Sequence, residues 1–470
     1  MARQAVAVVL GALLLVAIAA GAQWGVSSRA PLPIDLHLAL LGVAFLLYAA
    51  VLVLILRTEL ARPVMQWLML AAILARLVTL AGPHRANGDV GRYLWDGHVL
   101  AHGYNPYAHA PADAALDPIR APFLYQALNP DYNHIRTVYG PVAVTVFAVC
   151  TRLPGNPESN LRAAMTLADV ATIILIVLLL RQCGLPESWS LVYALNPLLL
   201  DAFAQRGQVD ALMLPLMVAA VLSLARKRPL LSGILLAAAV LVKAAALVCL
   251  PILFWADWSI HRRNEATRLA IGFAGTIILG CMPFVSAGLS AFDGLRVYAS
   301  QWRANAALFP VLEALTGPTG ARVLVTLCLV AALLWLVRGR RDFAGVSARL
   351  ALLFAALLLL APAVFPWYLT WPLPFVPFAL ARRPWRWFGA AILVWTATSL
   401  LWYARFLVYP PVDSPYLSAL VPPLRAACAR MPEPWRVIEY LPVLALALVG
   451  VWRVRRSRRF SACDTIIEDR

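Results

Sequence analysis

Charged side chains are scarce in this sequence: Asp, Glu, Lys and Arg make up 13% of 470 residues, and only 23 residues are acidic. A soluble protein needs a polar surface around its core. This chain cannot supply one, because 62% of it is hydrophobic. A Cys-x-x-Cys pair is also missing. The cysteines (Cys150, Cys183, Cys249, Cys281, Cys328, Cys428 and Cys463) fall mostly inside apolar runs, which argues against a disulfide framework or a structural zinc site. There is no Gly-Lys-Ser/Thr phosphate loop, no His-Glu-x-x-His and no Gly-x-Ser-x-Gly, so nothing points to a nucleotide, a zinc peptidase or a serine hydrolase. The alternating strands of a membrane barrel are absent too.

Apolar runs of about twenty residues recur instead along the whole chain, each long enough to cross a bilayer as a helix. The expected fold class is all-α: a polytopic transmembrane helical protein with about 11–13 membrane segments. Residues 1–470 read as a single domain. A net charge of +17 in a soluble protein would invite nucleic acid. Here the arginines cluster in short loops between apolar runs, the pattern that orients a membrane protein, and membrane lipid is the expected surrounding. The N-terminus, Met1 to Gln4 followed by apolar residues to Ala22, is similar to a signal peptide. Further spans follow directly, so an uncleaved first span is expected.

Basic clusters set the orientation. Arg3, the Arg57–Arg62 segment, Arg226-Lys227-Arg228, His261-Arg262-Arg263, the stretch 338–341, Arg382-Arg383 and the tail 453–470 all read as cytoplasmic. The intervals 82–138, 287–307 and 404–436 then fall outside, the first bearing short amphipathic helices. Between 139 and 225 lie four apolar runs where an odd number of crossings is required, so 139–151 or 188–204 must fail to cross. Lys243 stands in the middle of the apolar run from Pro229 to Ile260, which has basic residues at both ends. Two half-length helices meeting at Lys243 as a hairpin reconcile those ends.

The polar residues gather on the outer side of this scheme. Asp89 and Asp96 are seven positions apart, two helical turns, and therefore share one helix face with Arg92 near both. Tyr93, Trp95, Tyr104 and Tyr107 lie among them, as suits a helix at headgroup level. Asp89 comes first and projects from the helix start, where the dipole favours a carboxylate, whereas Asp96 can pair with Arg92. A carboxylate held there can accept a proton from a hydroxyl. Arg206, Gln208 and Asp210 occupy a turn after Asn196-Pro197. Trp302, Arg303 and Asn305 stand in the second external interval, Tyr139 closes the first, and Trp367 and Tyr368 mark a membrane edge.

The blocks GDVGRYLWDGHVLAHGYNPY, TVYGP, NPLLLDAFAQRGQVDAL, the mid-run Lys243, YASQWRAN and FPWYLTW occur in that order. Together, over about residues 60–405, they resemble the bacterial polyprenyl-phosphate-mannose-dependent mannosyltransferases, integral-membrane glycosyltransferases of the GT-C superfamily. Gly140, Gln208, Ala304 and Phe365 depart from the family's usual residues. The resemblance implies Asp89 as catalytic base. It implies inverting transfer of a hexose, mannose first, from a polyprenyl-phosphate-linked donor to a glycan, lipid or protein acceptor of the cell envelope. It places the site on the external, periplasmic side of a bacterial inner membrane. Arg206, Lys243 and Arg303 are the phosphate candidates. Asp96 and Asp210 are candidates for sugar or acceptor hydroxyls, and Trp95 and Trp302 for stacking on a sugar face. Arg92, Tyr139, Gln208, Asn305, Trp367 and Tyr368 complete the expected substrate-binding set. No organic cofactor is expected, and two carboxylates are too few to argue for a divalent cation. The rival reading is a lipid or sugar transporter or flippase that breaks no bond, since carriers also use broken helices and embedded charges.

Single cysteines at exposed positions within 90–135, 290–305 and 410–430 should react with an impermeant maleimide added from outside, and those at 226–228 and 455–459 should not. External labelling at 226–228 reverses the orientation.

Overall fold

The computed structural model of the chain describes residues 2–26, 34–58, 60–82, 88–260, 263–338, 342–383, 385–404 and 435–468. The interval 404–436 falls almost wholly outside them, as do Cys428, most of the basic stretch 338–341 and the side chains after Val454.

Helices account for nearly all of the described structure. Three open the chain: α1 (Ala2–Val26), α2 (Ile34–Arg57) and α3 (Arg62–Ala81). The polar interval then carries α4 (Gly88–Ala101), and α5 (Pro141–Arg152) and α6 (Pro157–Gln182) follow. Next come α7 (Asp210–Ala225), α8 (Pro229–Val242), α9 (Leu250–Ile260), α10 (Arg263–Cys281) and α11 (Asp293–Gln301). The last long helices are α12 (Phe309–Val337), α13 (Phe343–Leu360), α14 (Arg386–Thr398) and α15 (Trp435–Glu468). Proline at the first helical position starts α5, α6 and α8, where its missing N–H costs nothing. Asn156 caps α6 by accepting from the amides of Glu158 and Ser159, and Asp342 caps α13 through Gly345.

Among the described residues, seven helical stretches are long and apolar enough to cross a membrane, in keeping with an integral membrane protein. The remaining apolar segments are broken or short. The stretch Pro197–Gln205 bends by 118° into α7, and α5, α8 and Ala244–Ala256 have 10–17 residues. At 12 residues, α5 is about 18 Å long, well under the roughly 30 Å hydrocarbon core. The stretch 188–204 is no single helix either, but a 3-10 turn, two short α-turns and a π-turn. Neither suspected run is a single membrane-length helix: α5 is short by itself, and 188–204 is broken and continues through the 118° bend into α7, with which it makes one broken span or a re-entrant loop.

The Pro229–Ile260 run does break at Lys243, which is extended (φ −150°, ψ 123°) between α8 and a 3-10 turn over Ala244–Cys249. The expected hairpin is corrected in one respect: its two halves do not lie along each other. α8 packs on α7 and α10, while α9 packs on α10, α12 and α13, so each half is held by other helices rather than by its partner.

Buried ions pin the N-terminal helices to the centre. Arg76 of α3 donates from Nε to Asp169 Oδ2 of α6 at 2.6 Å and from Nη1 to the Ala194 carbonyl at 2.9 Å. Tyr193 donates to the other Asp169 oxygen at 2.7 Å. Arg162 reaches the carbonyls of Thr79, Gly82 and Ala204 at 2.9, 3.2 and 2.8 Å. Charges buried this deeply are tolerated only with such partners. They fix the exit of α3, and hence where α4 can begin.

Glycine allows two close backbone approaches around α4 and α5. A Cβ on Gly97 would lie 2.5 Å from the Phe147 carbonyl carbon, and one on Gly140 would lie 2.0 Å from the Leu241 oxygen. The Gly140 amide also donates to the Val242 carbonyl at 3.3 Å, joining the end of the polar interval to the break at Lys243. Gly140→Ala should therefore lower the unfolding temperature in detergent, at a cost of about 1–3 kcal/mol. An unchanged melting curve would mean that this contact is not tight.

Candidate active site

Asp89 occupies the first turn of α4, half-buried. Gly207 adopts a left-handed conformation (φ +62°) that reverses the chain and brings Gln208 back toward α4. Gln208 donates from Nε2 to Asp89 Oδ2 at 3.4 Å, and Tyr93 donates to Gln208 Oε1 at 2.9 Å. Burial pushes the Asp89 carboxyl above the ordinary carboxylate value; the Gln208 hydrogen bond and the positive charge of Lys243 oppose that rise. A carboxylate so placed is a stronger base than a solvated one.

Lys243 lies across the same cavity. Its ammonium pairs with Asp210 Oδ1 at 2.7 Å, and the Trp371 indole N–H donates to that same oxygen. The ammonium also sits 4.1 Å from the ring centre of Tyr368 and 5.0 Å from that of Trp371. The cavity has a volume of about 740 Å³ and is bounded by Asp89, Arg92, Tyr139, Lys243, Trp302, Trp367 and Tyr368. One wall is aromatic. Tyr132 and Tyr298 flank Trp302, with ring centres 4.7 and 5.3 Å away, and the Tyr298 and Tyr368 hydroxyls share a hydrogen bond of 2.5 Å. Elsewhere the lining is largely aliphatic, with Val248, Val325, Leu357 and Leu358 among it, and Arg322 of α12 stands beside that strip.

Seven of the residues singled out in the sequence thus converge, and the others are placed behind or beside the cavity. Asp96 is buried and pairs with Arg92 Nε at 2.8 Å. Trp95 is buried against Tyr125. Gln208 and Asp210 act through Asp89 and Lys243 rather than lining the space. Arg206 is tied to Asp201 Oδ2 at 2.8 Å and lies over the Tyr403 ring, outside the lining. Arg303 turns to Glu313 at 3.1 Å, and Asn305 donates to both carboxylate oxygens of Glu439, at 3.1 and 2.9 Å. Among the described residues no group of three or more His, Cys, Asp or Glu is placed to hold a metal ion.

Sequence reasoning overlooked Trp371 and Arg322. Trp371 stands three positions after Tyr368, one 3-10 turn, a spacing that puts both on a shared face. Arg322 is the only charged residue between Glu313 and Arg338 in a long apolar run, a placement that calls for a polar destination. Its guanidinium donates to the Ser300 carbonyl at 2.8 Å, and among the described residues no carboxylate pairs with it.

Residues 5–259 match the family described as alpha-(1->6)-mannopyranosyltransferase, N-terminal domain, which is more than half of the chain. The chain belongs to this family. A curated relative, alpha-(1->6)-mannopyranosyltransferase A of Mycobacterium tuberculosis (strain ATCC 25618 / H37Rv), is 28% identical over 347 residues. That match covers 63% of this chain and 62% of the relative, so the chain spans less than two thirds of the relative's length. Among solved structures, ArnT from Cupriavidus metallidurans bound to undecaprenyl phosphate is similar at 15% identity and a TM-score of 0.47. That similarity covers 84% of this chain and 79% of ArnT. The apo state of the same protein gives a TM-score of 0.40, with 83% and 77% covered. The family region carries Asp89, Arg92, Tyr139, Gln208, Asp210 and Lys243, whereas the aromatic wall from Tyr298 to Trp371 lies beyond it.

The raised carboxyl has a consequence for stability. A carboxylate whose folded value exceeds its unfolded value destabilises the fold as pH rises from about 3.9 through the raised value. Asp89→Asn should therefore raise the unfolding temperature at neutral pH, and the gain should disappear below about pH 3.9. A variant that melts like wild type at neutral pH would show that Asp89 carries no such strain.

Proposed function

We propose that this chain is a membrane glycosyltransferase of GT-C type that moves a mannosyl group from a polyprenyl-phosphate-linked donor to a hydroxyl of an envelope glycan, lipid or protein, with inversion. One observation carries this reading: a carboxylate of raised basicity and an ammonium line one cavity whose remaining walls are aromatic and aliphatic. The family assignment supports mannose as the sugar.

In this mechanism Asp89 accepts the proton of the acceptor hydroxyl as its oxygen bonds to the anomeric carbon. The bond from that carbon to the phosphate oxygen breaks, and polyprenyl phosphate leaves with the electron pair. Three features serve that step. The Tyr93–Gln208 chain holds Asp89 facing inward. Lys243, with its charge already directed by Asp210, faces the leaving phosphate, and Arg322 adds a cation that no carboxylate among the described residues offsets. The aliphatic strip of Val248, Val325, Leu357 and Leu358 takes the lipid chain, and Trp302 and Tyr132 offer ring faces to a sugar. Arg206 and Arg303, each engaged by its own carboxylate away from the lining, are left out of the phosphate site. The reading places the protein in a bacterial inner membrane with this cavity on the periplasmic side, consistent with the basic loops.

Turnover should be followed as release of polyprenyl phosphate from a polyprenyl-phosphate mannose. Asp89→Asn should cut turnover about a hundredfold to ten-thousandfold with donor binding largely kept. Lys243→Met and Arg322→Met should each raise the apparent donor KM, about tenfold or more. Activity should fall on the acid side as Asp89 gains its proton, and that limb should be missing from Asp89→Asn. Near-normal turnover of Asp89→Asn would remove the base from this scheme; lipid movement without bond cleavage would replace the enzyme by a flippase.

A further inference from the structure

Glu439 belongs to α15, far beyond the family region, and its side chain is fully buried. Asn305 Nδ2 donates to both of its carboxylate oxygens, and Trp395 Nε1 donates to Oε1 at 3.0 Å. The next residue, Tyr440, donates its hydroxyl to the Asn305 carbonyl. Asn305 is thus gripped by side chain and backbone from two successive residues of one helix. It also holds a left-handed conformation (φ +45°), which asparagine adopts more readily than other side-chain-bearing residues.

What that grip supports is a wall of the cavity. Directly before Asn305, the Ala304 amide donates to the Pro362 carbonyl at 3.2 Å, and the Val364 amide donates to the Ala304 carbonyl at 2.7 Å. This bridge ties the segment bearing Trp302 to the one bearing Phe365 and Trp367, and all three of those aromatics line the cavity. Asn305 itself points away from the cavity, so its value to the site is indirect.

We infer that Glu439 is a positioning residue: through Asn305 it locks the Trp302–Asn305 turn and the Ala304–Ala363 bridge, and so fixes the aromatic wall against which a sugar is held. The sugar contact rests on the glycosyltransferase reading above; the lock does not.

Amide hydrogen exchange in detergent tests the lock directly. Glu439→Ala should speed exchange of the Ala304 and Val364 amides about tenfold or more, since the Asn305 and Trp395 hydrogen bonds to its carboxyl are lost, and leave the interior of α6 unchanged. Glu439→Gln, which keeps one acceptor oxygen, should fall between. In the transfer assay, Glu439→Ala should raise KM several-fold with kcat close to wild type, and Glu439→Gln should recover part of it. Unchanged exchange at both amides overturns the lock whatever the activity. Faster exchange with an unaltered KM overturns the positioning role. A wild-type protein that transfers no sugar refutes the glycosyltransferase reading, while the exchange result still decides the lock.

Discussion

Two breaks in membrane-length helices meet at one ion pair, and the site is built around it. The backbone of a membrane helix can be interrupted only where its freed polar groups find partners inside the protein. Here the bend before α7 ends at Asp210, the break after α8 leaves Lys243 extended, and the two side chains join at 2.7 Å. Each charge would be costly beside apolar helices without the other. The Trp371 indole and the Tyr368 ring close over the pair and bring a third stretch of chain to it. Gly140, packed on the Leu241 backbone, brings Tyr139.

Asp89 reaches this centre by a separate route. Arg76 and Arg162 anchor the end of α3, and Gln208, carried by the same turn that precedes Asp210, holds the carboxylate. Asp89 and Lys243 are therefore held by Gln208 and Asp210 of one polar turn, so a displacement of that turn would move both. Such coupling suits the transfer proposed above, in which proton acceptance and departure of the phosphate coincide. The cost is a half-buried carboxylate held against its preference for water.

The wall opposite has another origin. Trp302, Tyr298, Phe365 and Trp367 come from segments beyond the family region and are joined by a short backbone bridge with Asn305 behind it. Asp89 and Lys243 lie inside the matched region, as do Tyr132 and Tyr139, whereas these four rings lie beyond it.

Much of this was legible in the sequence for identifiable reasons. Apolar runs and the scarcity of charge determined a helical membrane protein, because burying the backbone in lipid leaves few alternatives. The charge at Lys243 marked a helix break, since an ammonium in mid-run has no stable place in a continuous lipid-facing span, and the position of Asp89 at a helix start marked it apart from Asp96. Partner choice was not legible. Arg206, Arg303 and Asn305 had the right residue types in the right intervals, but only the tertiary structure gave them to Asp201, Glu313 and Glu439 instead of to the cavity. Conversely, Arg322 stood out as a lone charge in an apolar run and Trp371 by its spacing from Tyr368, but only the fold brought them to one cavity with Asp89 and Lys243. Local periodicity and hydropathy are properties of neighbouring residues, whereas the pairing of a buried charge is decided by whichever opposite group the packed helices bring within reach.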